Sequence, residues 1–262
     1  MQTRKSQPVY RLTILVLFFM IRGLDSFAQI VNIEAQRIVT DTSGWFGDLS
    51  GNFSFQENVN TIYSFNGQVH IENKSRSTKD LWLILANAGL LKVESSNFTN
   101  NALALGLYNR KLNNVIRAEV LSARFDNQVT KIDPRWITAG GLRFKLADLN
   151  QLKIYAAGLY LFEHEKSALP EVPVRKNHRL SPYITFTFTP VSNLKLVSTL
   201  YYQPRVDEFG DYRFLQVDQL RIDVTTRFSF TIDFNYLFDE SPQPNVPKVN
   251  LTLSTGISYR LK

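Results

Sequence analysis

From Arg227 to Asp239 the chain alternates without a slip. Phe228, Phe230, Ile232, Phe234, Tyr236 and Phe238 share one parity; Ser229, Thr231, Asp233 and Asn235 share the other. A period of two means a β-strand with one oily and one wet face. Six large apolar residues on one face exceed what a solvated sheet carries. The same alternation recurs in 178–189 (Leu180, Ile184, Phe186, Phe188), 194–204 (Leu194, Leu196, Leu200, Tyr202) and 212–224 (Tyr212, Phe214, Leu220, Ile222, Val224). It recurs through Trp45, Leu49, Phe53 and Phe55, through Tyr63, Phe65, Val69 and Ile71, and along 249–262. About twelve segments carry it, each as long as the roughly nine to eleven residues that a tilted strand needs to cross a bilayer. Three are less regular. Leu81 to Leu91 is apolar on both faces, where a short helix is an alternative; Val115 to Phe125 alternates poorly; Leu152 to Phe162 is nearly two-sided, as expected of a strand covered inside by a plug or a partner.

The connections between these segments predict topology. Arg110–Asn114, Ala147–Gln151, Thr189–Asn193 and Thr225–Arg227 are tight, whereas Val93–Asn101, Asp126–Arg135, Glu163–Asn177, Gln203–Asp211 and Asp239–Lys248 are longer. Short and long alternate from the third strand onward, as in outer-membrane barrels with short periplasmic turns and long outer loops. Pro170, Pro173, Pro242, Pro244 and Pro247 fall in the long set. Pro182 and Pro204 are read as lying near strand ends, where a missing amide donor is tolerated. Trp45, Trp82, Trp136, Tyr155, Tyr183, Tyr202, Tyr236 and Tyr259 sit toward segment ends, which suits aromatic girdles.

The N-terminus agrees with export. Arg4, Lys5 and Arg11 precede an apolar run from Leu12 to Ile21, and Ser26-Phe27-Ala28 resembles a cleavage site with Gln29 as the mature start. Residues 1–28 are therefore expected to be a cleaved signal peptide, and residues 29–262 the barrel domain. The run is too short to span as a helix. The full chain carries +7. Losing residues 1–28 removes four basic residues (Arg4, Lys5, Arg11, Arg22) and Asp25, which leaves +4. That surplus does not indicate a nucleic-acid partner. With no Cys there is no disulfide, thiolate metal site or cysteine nucleophile.

Candidate chemistry is sparse. His70, His164 and His178 lack metal spacing, so no metal or cofactor is expected. Glu163-His164-Glu165-Lys166 matches a metalloprotease string only superficially. The sharpest catalytic alternative pairs His178 with Ser198, both of outward parity, as in a lipid-acting hydrolase; no catalytic residue is assigned. The inward parity is expected to carry a basic lumen through Arg143, Lys145, Arg179, Arg213, Arg221 and Arg227. Water in that lumen would favour anions; pairing with acids such as Glu119, Glu163, Asp223 and Asp233 would instead close it. The C-terminal pattern built on Gly256, Tyr259 and Leu261 looks like the signal by which outer-membrane barrels are recognised for insertion, with Leu261 in place of the usual aromatic.

The run Tyr201-Tyr202-Gln203-Pro204-Arg205-Val206-Asp207-Glu208-Phe209-Gly210-Asp211-Tyr212-Arg213 has a distinctive composition. So do Asn177-His178-Arg179-Leu180-Ser181, Thr189-Pro190-Val191-Ser192-Asn193-Leu194 and the Trp45-Phe46-Gly47 opening. Together they resemble a domain-of-unknown-function family of outer-membrane barrels, some labelled salt-induced outer-membrane proteins. The resemblance runs from about Gly44 to the C-terminus. It implies a barrel with no assigned chemistry. The expected fold is thus an all-β, transmembrane, antiparallel up-and-down barrel of about twelve strands, with a soluble two-sheet sandwich as the alternative. Three functions fit: a small channel or envelope-stress protein, a structural or partner-binding subunit of an envelope complex, or a lipid-acting hydrolase. The expected partners are outer-membrane lipids, the barrel-assembly machinery during insertion, and an envelope protein.

Overall fold

The computed structural model describes residues 33–37, 42–57, 61–93 and 99–261. The expected signal peptide lies outside the described residues, as do 58–60 and 94–98. One helical turn, α1 (Ile33–Gln36), precedes twelve strands. These are β1 (Gly44–Glu57), β2 (Thr61–Lys74), β3 (Asp80–Val93), β4 (Thr99–Lys111), β5 (Ile116–Asn127) and β6 (Ile132–Asp148). They continue as β7 (Leu152–Ser167), β8 (Arg175–Val191), β9 (Leu194–Pro204), β10 (Tyr212–Asp223), β11 (Phe228–Asp239) and β12 (Val249–Arg260). Each pairs antiparallel with its sequence neighbours, and β1 pairs with β12, so the sheet closes on itself. The closing register runs from Asp48↔Arg260 to Phe53↔Thr255. The Leu261 N–H extends it by donating to the Gly47 carbonyl at 2.8 Å. Closure leaves no strand with a row of unpaired amides, a requirement wherever the surroundings offer no water. It also excludes the two-sheet sandwich.

The outer face follows the alternation. Trp45, Phe53, Phe65, Ile84, Leu253 and Ile257 are each more than half exposed. Water-soluble surfaces rarely present so continuous an apolar belt, and a membrane-spanning barrel requires one. Aromatic pairs mark both rims. At the short-turn end Trp82 packs on Tyr108 at 4.5 Å and Phe228 on Tyr259 at 5.0 Å. At the long-loop end Tyr212 packs on Tyr202 at 5.6 Å and on Phe238 at 5.5 Å, and Arg124 lies 5.4 Å over Trp136. Tyr155 and Tyr183 belong to neither girdle, because both point inward.

The two-sided segment 81–91 is one of the twelve expected strands and not the alternative helix: it lies within β3 and pairs along both edges. Three expectations change. The β5–β6 loop shrinks to residues 128–131, since the strands extend into Asp126–Arg135 and absorb Pro134 at a register shift. The strict alternation of short and long connections fails there. Pro182 lies in the middle of β8 rather than near its end. Finally, the inward parity is not hydrophilic all round. Leu81, Leu83 and Leu85 of β3, Leu105 and Leu107 of β4, Ala123 of β5, Ala139 of β6 and Leu159 and Leu161 of β7 are buried inside the barrel. The strands that are apolar on both faces are those whose inner face packs against this half of the lumen and against Ile33 of α1.

Candidate functional site

The interior is stratified. On the short-turn side, α1 is tied to the wall. Arg37 Nε donates to Glu34 Oε1 and Arg37 Nη2 to Glu119 Oε1, both at 2.7 Å. Arg143 Nη2 donates to the other Glu34 oxygen at 2.5 Å, and its guanidinium lies 3.6 Å over the Tyr155 ring. Glu119 also accepts from Asn109 Nδ2 at 2.7 Å and from the Tyr183 hydroxyl at 2.8 Å. Two carboxylates thus meet two guanidiniums, with neutral donors satisfying the remaining lone pairs. This is how buried charge is tolerated.

A second network lines the long-loop end along β6–β8, β10 and β11. Arg213 donates from Nε to Asp239 Oδ2 at 2.8 Å and from Nη1 to Glu163 Oε2 at 2.5 Å. Arg135 bridges Glu163 and Glu165, and Gln243 of the β11–β12 loop donates to Glu165. Arg179 donates to Asp211 Oδ1 at 2.8 Å and lies within 4.0 Å of Glu163. Arg175 is 3.9 Å from Glu165. Arg205 Nη1 donates to Asp211 Oδ2 at 3.1 Å, so five cations face four carboxylates. Arg205 also pairs with the exposed Asp207, and its hydrogen bonds hold the Asp207 carboxyl below its ordinary range.

Between the two networks lies a cavity of about 180 Å³. Leu103, Leu105, Leu121, Phe125, Leu159, Leu161 and Leu215 form most of its wall, with Ser181, Gln203 and the stems of Arg135 and Arg213 at one side. The opposite wall of the barrel differs. Ser50, Asn52, Gln68, Asp233, Asn235, Thr252 and Ser254 face inward and stay half-buried rather than packed. Gln219 and Asn52 both donate to Asp233, at 2.7 and 3.5 Å. At the short-turn end His70 is fully buried between Asp48 and Glu72, at 3.5 and 3.8 Å.

The six basic residues expected in the lumen separate on this map. Arg143, Arg179 and Arg213 are buried in the networks. Lys145 pairs with Asp148 at 2.7 Å and Arg221 with Asp223 at 3.0 Å, both toward the short turns. Arg227 is not in the lumen. It sits in the exposed β10–β11 turn and reaches outward to the Tyr259 hydroxyl at 3.2 Å, because the turn ends the alternation one residue before β11 begins. The lumenal five each face a carboxylate, so these five add no unpaired positive charge to the lumen.

In the terminal pattern, Gly256 has a local reason. A Cβ there would collide with the Asn52 side chain and come within 2.9 Å of the Gly51 carbonyl. Its absence lets Asn52 reach across β12 to Asp233. Tyr259 belongs to the short-turn girdle, and Leu261 forms the closing bond already described. His178 and Ser198 do both face outward, but Ser198 pairs with Phe186, eight residues along β8 from His178. At a strand's rise that is roughly 26 Å, so the two form no catalytic pair. His178 instead shares a 2.7 Å hydrogen bond with Tyr160.

Sequence reasoning missed Glu34, Arg37, Glu165, Asp211 and Asp239. One signal was present: Glu163 and Glu165 share a parity with apolar Leu159 and Leu161, and two carboxylates in an apolar row require cations opposite them.

These features define a twelve-strand transmembrane β-barrel with a stratified interior held by two ion-pair networks. The chain belongs to the family described as protein of unknown function, DUF481, whose model matches residues 61–261. No curated protein sequence matches it. Among solved structures it is similar to the COG4313 outer membrane channel from Pseudomonas putida F1, with a TM-score of 0.55, 8% identity, and coverage of 85% of this chain and 97% of that one. It is also similar to the NanC porin, with a TM-score of 0.53, 10% identity, and coverage of 82% and 100%. At these identities the likeness is one of fold.

Proposed function

We propose that this protein is an outer-membrane channel for small solutes, held closed by the Glu34–Arg37 latch. The observation that carries the reading is the asymmetry of the lumen. The apolar β3–β7 side carries α1, which packs on it through Ile33 and is tied to it through Glu34 and Arg37, whereas the hydrophilic wall of β11, β12, β1 and β2 remains partly accessible. A wall of small hydroxyls and amides suits a narrow aqueous path, since it offers hydrogen bonds without binding any solute tightly. The latch is a natural moving part because its wall partners stay paired without it: Arg143 Nε is already 3.9 Å from Glu119.

Planar-bilayer recordings test the reading. Wild-type protein is expected to open rarely. The double variant Glu34→Ala/Arg37→Ala is expected to raise the open probability about tenfold, the scale set by losing one or two charge-assisted hydrogen bonds. If neither protein conducts, the channel reading fails. Placement in the outer membrane, after export by the leader at 1–28, is supported by the belt, the closed sheet and the long loops on one rim. The expected result is recovery in the outer-membrane fraction, with faster migration on a gel before heating than after. Recovery in the soluble periplasmic fraction would overturn it.

A further inference from the structure

The wall behind the central cavity has a seam. The β8–β9 ladder runs in register from Phe188↔Leu196 to Tyr183↔Tyr201 and then stops. It returns only as a single bridge, Arg179↔Arg205. The interrupted positions include Pro182 and Pro204. Amides alternate sides along a strand. Thr189 N–H points to the β7 side, where it meets the Gln151 carbonyl at 2.8 Å, and Arg205 N–H points to the β10 side, where it meets the Asp211 carbonyl at 2.9 Å. Positions 182 and 204 therefore direct their backbone nitrogens toward each other's strand. The two prolines remove two of the four donors in this stretch; Leu180 and Tyr202, whose amides face across with the same parity, keep theirs. Side chains take over part of the role: Gln203 Nε2 donates to Ser181 Oγ at 3.0 Å, and Arg179 Nη1 donates to the Gln203 carbonyl at 3.0 Å.

Ser181 and Gln203, which span the seam, also line the cavity, with Tyr201 beside them. The wall is mostly apolar, and a volume of about 180 Å³ accommodates a benzene-sized molecule, which fits a cavity of roughly 150 Å³. Its charged neighbours, Arg135 and Arg213, are fully engaged by Glu163, Glu165 and Asp239, so an anionic head group would find no spare cation. On the outer side the seam is flanked by Leu180 and Tyr202, which belong to the lipid-facing belt.

We propose that the barrel binds a small neutral apolar molecule, the size of one aromatic ring with a single hydroxyl or carbonyl, in this cavity. It exchanges that molecule laterally with the bilayer by parting β8 and β9 at the Pro182/Pro204 seam. The inference goes beyond axial conduction and does not depend on it.

The test uses full-length protein in lipid nanodiscs, with 4-fluorobenzyl alcohol as probe and ¹⁹F NMR as readout. Wild type is expected to show a saturable bound resonance distinct from probe dissolved in lipid, and 4-fluorobenzoate to show none. Ala139→Phe, which fills the cavity from β6, removes the bound resonance. Ala123→Leu, a milder filling from β5, weakens it and keeps the test valid should the larger side chain prevent folding. The native chain has no cysteine, so Ser181→Cys/Gln203→Cys places a lone disulfide across the seam, at a non-hydrogen-bonded pair where such bonds fit. Oxidation is expected to slow probe exchange about tenfold or more, as locking a gate does, and reduction to restore it. Absence of saturable binding in wild type, or equal binding in the filled variants, overturns the site. Equal binding of the benzoate overturns the neutral class. Unchanged exchange after oxidation overturns the lateral route.

Discussion

Arg213→Ala is expected to cost about 3–5 kcal/mol of stability, the scale for removing one partner of a buried ion pair. The guanidinium is nearly inaccessible and bonds at once to Glu163 on β7 and Asp239 on β11, on opposite sides of its own strand's neighbourhood. Without it, Glu163 retains Arg135 at 3.5 Å and Arg179 at 4.0 Å, while Asp239 loses its direct partner. An uncompensated buried carboxylate then carries its desolvation cost unopposed. Arg213→Lys keeps the charge but reaches only one carboxylate at a time, so it falls between wild type and alanine. Arg213→Ala/Glu163→Ala loses less than the two single losses added, with a coupling of about 1–3 kcal/mol. Urea unfolding of protein refolded into lipid vesicles measures all four. A loss below about 1 kcal/mol for Arg213→Ala would mean that water reaches this network and that the long-loop end is open.

The outer half of this molecule was legible because lipid imposes one rule on every strand: each second residue must be apolar. That rule predicts β8 to β12 closely, since their inner faces are largely polar, with Val197, Leu215 and Val217 the buried apolar exceptions. It fades across β3, β5 and β7 for a physical reason. There the inner face packs against other side chains and against Ile33, so both parities are apolar and the period vanishes. The partners across the lumen were illegible for a different reason. Glu119 meets Arg37, and Arg213 meets Glu163, through barrel closure rather than sequence proximity. Parity says that a side chain points inward but not what it meets. The same holds for the prolines. Pro182 and Pro204 are conspicuous in the sequence, but only the closed register shows that both missing donors face one seam beside the cavity.

Gly141 and Gly158 make the sharpest paired test, because they are adjacent in the β6–β7 ladder and demand opposite outcomes. Gly141 faces inward opposite Leu159. A Cβ there would overlap the Gly158 carbonyl oxygen and sit 2.8 Å from the Leu159 Cα, and backbone on a paired strand cannot rotate aside as a side chain can. Gly141→Ala must therefore push β6 from β7 beside the cavity or abandon the pairing, at a cost of about 3 kcal/mol or more, the upper range for overpacking. Gly158 faces outward, with nothing within 4 Å of its added Cβ and no left-handed backbone to forbid one. Gly158→Ala is expected to leave stability unchanged or raise it by about 0.5 kcal/mol, through the lost freedom of the unfolded chain. Unfolding midpoints of the two variants in the same lipid decide the matter. Equal effects would show that Gly141 does not hold β6 against β7 as described, and the shape of the cavity wall, which that contact sets, would have to be redrawn.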